Sequence, residues 1–119
     1  MKPSEAMRAG LRQLSEAQPQ MIQIHDDYAR KGEGACAAGM AYLGAGVPFD
    51  TLVNATLDEE TDFPELLEPV LRRDFPEEFA QWRPSVENVS LITVIIALND
   101  KPFEWPIENI IAWVESIGR

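Results

Sequence analysis

The chain has 119 residues, 45% of them hydrophobic, and its 20 acidic side chains outnumber 10 basic ones, for a formal net charge of −10. That length suits one domain with a single hydrophobic core and no disulfide or metal staples. The lone Cys36 excludes an intrachain disulfide, the first residues lack a secretory apolar run, and the longest apolar stretch, 91–98, is far short of the roughly 20 residues that cross a bilayer. A cytoplasmic protein with no membrane association is therefore expected.

Pro3, Ser4 and Glu5, followed by Met7, Leu11 and Leu14, predict a first helix ending near Ala17, with an acid in its first turn where the helix dipole favours it. Residues 20–25 follow as a short extended segment, Met21 to His25, for which no partner strand is evident. A turn at Gly32 to Gly34 leads into a helix of small residues. Residues 32–46 hold five of the seven glycines, and Ala35, Ala38 and Gly39 remove the bulk that normally keeps helices apart. Because each internal Gly costs a helix roughly 1 kcal/mol against Ala, the pattern implies a packing or functional demand. Gly44 or Gly46 suits the C-cap, and Asp50 suits the N-cap of a short helix through Leu52, Val53 and Leu57.

Pro64, Pro69, Pro76 and Pro84 forbid a long helix between Phe63 and Arg83 and allow only short helical turns, one of them over 65–73. Phe63, Leu66, Leu67, Val70, Leu71, Phe75, Phe79 and Trp82 are the core anchors expected there. The same stretch concentrates charge: Asp58, Glu59, Glu60, Asp62, Glu65, Glu68, Asp74, Glu77 and Glu78 face only Arg72 and Arg73. Such a surface repels phosphate backbones, so direct nucleic-acid binding is not expected. It is either a solvated face that aids solubility or a docking surface for a basic protein partner.

Ser85 can cap a helix carrying Val89, Ile92, Ile95, Ile96 and Leu98. Its β-branched richness favours a strand, but the span from 86 to 99 exceeds a typical strand of about 5–6 residues, so a helix is predicted, ending at Asn99 and forming the buried centre. The closing helix starts at Pro106, carries Ile107, Ile110, Ile111, Val114 and Ile117 on one stripe, and stops before Gly118. The expected fold is mainly α: a compact single-domain helical bundle with a short extended segment near residues 20–25.

Two motifs, Gly34-Ala35-Cys36-Ala37-Ala38-Gly39-Met40-Ala41-Tyr42-Leu43-Gly44 and Ile95-Ile96-Ala97-Leu98-Asn99-Asp100 with the later Trp105 and Ile111-Ala112-Trp113-Val114, resemble a family of small bacterial and phage proteins of unknown function. Its members share a Cys-Ala-x-Gly helix, a Leu/Trp-Asn-Asp turn and an Ile-Ala-x-Trp-Val closing helix. Gln18-Pro19-Gln20 and Asp27-Tyr28 extend the likeness, which leaves the acidic middle outside. The resemblance implies a helical fold and a bacterial or phage origin, and no chemistry.

The chain contains no phosphate loop, His-Glu-x-x-His, Cys-x-x-Cys or nucleophile elbow. A Cys36, His25 and Asn99 or Asp100 constellation would supply a thiolate, a proton shuttle and an orienting group for a cysteine-dependent hydrolase or transferase. The competing reading makes Cys36 a small buried hydrophobe. His25 and Asp27 alone make too few ligands for a metal, and no metal or cofactor is expected. For Asn99 and Asp100 the structural reading is a left-handed C-cap and an acceptor for amides of the 101–105 loop. Phe103, Trp105 and Trp113 read as core or loop anchors. The leading expectation is a non-catalytic protein-interaction module; in a phage it would be an inhibitor that occupies a basic site on a host defence protein. The sequence leaves the oligomeric state open.

Overall fold

The structure is a computed structural model that describes residues 2–17, 22–53, 85–86 and 89–119. Helix α1 spans Pro3–Ala17; its buried positions, Pro3, Ser4, Ala6, Met7, Gly10 and Leu14, recur at helical spacing. The Lys2 amide donates to Glu5 Oε2 at 3.1 Å, so the expected first-turn acid also satisfies an amide at the helix start. Next come three two-residue strands, β1 (Ile22–Gln23), β2 (Ala29–Arg30) and β3 (Gly34–Ala35). The partner that sequence did not reveal for β1 is β3, which pairs parallel with it (Ile22 with Gly34) and antiparallel with β2 (Ala29 with Ala35). A turn at 31–33, closed by a bond from Glu33 N to Arg30 O, joins β2 to β3.

Helix α2, Ala37–Gly44, is buried at every position from Ala37 to Leu43. A helix apolar on all sides belongs at the centre of a domain. It crosses α1 with Gly10 against Met40 and Gly44 against Ala6; a side chain at either glycine would overlap a backbone carbonyl oxygen of the other helix. On another side Gly39 meets the Tyr28 carbonyl just as closely. The small-residue pattern therefore serves packing: it lets α1 and the loop before β2 approach the α2 backbone itself. Tyr28 and Tyr42 stack in a tilted pair, ring centroids 5.7 Å apart. The chain leaves α2 through Ala45, in right-handed helical geometry, and then Gly46 at φ 105°, so Gly46 and not Gly44 takes the positive φ.

Helix α3, Phe49–Val53, begins one residue before Asp50, which lies inside the helix and not at its N-cap. The Pro48 carbonyl instead accepts from Thr51 N at 3.1 Å. Leu57, the four central prolines, the apolar anchors and the acids from Asp58 to Glu78 lie outside the described residues.

The expected helix over 86–99 is two elements. Ser85–Val86 (β4) pairs antiparallel with Val89–Ser90 (β5), and helix α4 occupies Leu91–Asn99. The β-branched residues that argued for a strand sit partly in that hairpin. Nor is α4 the buried centre: Leu91, Ile92, Ile95 and Asn99 are buried, while Ala97 is exposed. That centre is α2, whose small residues draw close neighbours on several sides.

Helix α5, Ile107–Ser116, buries Ile110, Ile111 and Val114; Pro106 stands just before it as N-cap, and Gly118 follows at φ 80°. Ile117 is on the exposed end of the predicted stripe. Arg8 pairs with Glu115 at 2.7 Å, joining α1 to α5, and Ser4 Oγ donates at 2.7 Å to the carbonyl of Arg119, beyond the end of α5. The described residues form a mainly α fold, and no helix among them is long and apolar enough to cross a membrane.

Candidate functional site

The first amides of an α-helix have no partner within it. In α2 two of these are met by side chains. Cys36, extended at φ −77° and ψ 173°, is the N-cap, and its Sγ accepts from Gly39 N at 3.3 Å. The Ala37 amide donates at 2.9 Å to Oδ1 of Asn99, a residue 62 positions later in the chain.

Asn99 is completely buried. A carboxamide can accept two hydrogen bonds and donate two. Here Oδ1 accepts from Ala37 N and, at 2.8 Å, from Gln23 Nε2, while Nδ2 donates to Ile24 O and Asp100 Oδ1, both at 2.9 Å. The amide is thus saturated, and the Ala37 donor and Ile24 acceptor fix which way it faces. Asn99 is helical, the last residue of α4 and not a left-handed cap; among the described residues the positive-φ residues other than glycine are Asp26 and Glu104. Its own carbonyl, orphaned at the helix end, accepts from His25 Nδ1 at 2.7 Å. Because a carbonyl can only accept, that nitrogen carries the proton.

Asp100 also departs from expectation. Its Oδ1 accepts from Asp26 N at 3.2 Å, besides Asn99, and lies 4.0 Å from His25 Nδ1; the amides of the 101–105 loop are not its partners. That loop is held by backbone instead, with Glu104 N donating to Asp100 O and Trp105 N to Leu98 O. The carboxylate faces back across the fold because the segment after β1, not the following loop, lies against the end of α4.

Gln23 extends this network and was not singled out from sequence. Its Nε2 also donates to Trp105 O at 2.8 Å, and its Oε1 accepts from the Ile107 amide at 2.6 Å. Pro106 offers α5 no side-chain cap, so Gln23 takes that role from 84 residues away. A glutamine within a strand carries no local signal of such a task.

The structure brings His25, Asn99 and Asp100 together, and Cys36 immediately precedes Ala37, whose amide Asn99 holds. It does not arm the thiol. Cys36 is buried, and burial pushes its pKa up from 9.0 to about 12; the Asp100 charge adds to the rise and the Gly39 amide partly offsets it. The sulfur is therefore a neutral thiol near pH 7, and it accepts a hydrogen bond from the Gly39 amide. Among the described residues the sulfur's hydrogen-bond partner is that amide, while the His25 ring is turned to Asn99. Nearby, Arg30 donates to His25 O at 2.7 Å and pairs with Asp27 at 3.1 Å, so the carboxylate that could join His25 at a metal is engaged by a guanidinium. No group of three or more His, Cys, Asp or Glu among the described residues is placed to hold a metal ion.

Comparison with protein-family models, curated proteins and solved structures finds no match in any of the three. The chemistry of this site therefore rests on its geometry, which is that of a buried structural junction.

Proposed function

We propose that this chain is a non-catalytic protein-binding module of the cytoplasm whose carboxylates at 58–78 engage a basic surface on a protein partner. The observation that carries this reading is the employment of its reactive residues. Cys36, His25, Asn99 and Asp100 are committed to helix ends and inter-element hydrogen bonds, with the thiol buried and neutral. With that set serving the fold, the strongest remaining chemical feature is charge: nine acids against two bases in 58–78, within a net charge of −10. Concentrated carboxylates steer basic partners into encounter and lose that influence as salt screens them. The likeness to bacterial and phage proteins narrows the proposal to an inhibitor that covers a basic, phosphate-binding site on a host defence protein.

The test is affinity capture from bacterial lysate at low and high salt, beside a variant in which the nine acids become Asn or Gln. A partner retained at low salt, released at high salt and not captured by the variant supports the reading. Equal capture by the variant, or no partner at low salt, overturns it.

A further inference from the structure

We draw no further inference here: the strongest candidate, the half-exposed edge of His25 beside Asp100 where β1 meets the end of α4, belongs to the hydrogen-bonded junction already described, and no second observation among the described residues points to a ligand for it.

Discussion

At the α1–α2 crossing, backbones meet because side chains are absent; at Asn99, elements distant in sequence meet because one side chain supplies four hydrogen bonds. The first contact constrains volume and is indifferent to polarity. The second constrains polarity and leaves some latitude in shape. Their sensitivities to substitution should therefore be opposite, a difference that stability measurements can expose.

The largest effect is expected at the polar junction. Asn99→Leu keeps the bulk but strands the Ala37 amide and the Ile24 carbonyl in the interior. At about 1–3 kcal/mol for each unsatisfied buried group, the loss should approach 4 kcal/mol in urea unfolding. Iodoacetamide should then label Cys36 readily, whereas the native thiol should resist it near neutral pH. A stability within about 1 kcal/mol of the parent would show that the junction's hydrogen bonds contribute little.

At the steric contact, Gly44→Ala adds one methyl against the Ala6 carbonyl and should cost about 2–3 kcal/mol, even after the better helix propensity of alanine is counted. Gly32→Ala is the matched control, because its φ of 77° is strained for alanine but the space around it is open. It should cost about 1 kcal/mol. Equal losses at the two glycines would mean that α1 can shift away from α2 freely.

A smaller change is expected from Asp100→Ala, which removes the acceptor for Asp26 N and Asn99 Nδ2. Thermal melting should register about 1–2 kcal/mol, with partial rescue by Asp100→Asn. An unchanged Tm with partner binding abolished would instead make this carboxylate a functional group.

Least affected at neutral pH is Cys36→Ser, whose hydroxyl can still cap α2, with a change of under about 1 kcal/mol. The pH dependence distinguishes the two chains. Folding raises the thiol pKa from 9.0 to about 12, so above pH 9 the unfolded chain releases a proton that the folded one retains. Stability from this group is present below pH 9 and declines as pH climbs toward 12. The serine variant lacks that decline, so its Tm should gain on the parent's through this alkaline range.

Much of this architecture was legible where the signal is local. Pro3 and Glu5 marked the start of α1, the stripe from Ile107 to Val114 with Gly118 beyond marked α5, and the glycines around α2 announced close packing. The β1–β3 pairing was not legible, since two-residue strands are too short to show alternation. The hairpin before α4 was absorbed into a helix because Val86 and Val89 continue the apolar run of 91–98. Asn99 and Asp100 stood out as polar residues after an apolar helix, which pointed to a structural turn. Their partners lay far back in the chain, at Gln23, Ile24, Asp26 and Ala37, where no spacing rule reaches.

The cap that Gln23 lends to α5 makes the last helix conditional on the first third of the chain. A ten-residue helix is too short to persist alone in water. A peptide covering 105–119 should therefore be largely unstructured by circular dichroism, and its helicity should appear only when the segment bearing Gln23 is folded against it. Asn99 imposes the same condition on the start of α2 from the opposite direction. Each end of the fold thus holds a switch for a helix in the other, and such reciprocal dependence leaves little room for half-folded states: the described elements should melt together in one transition.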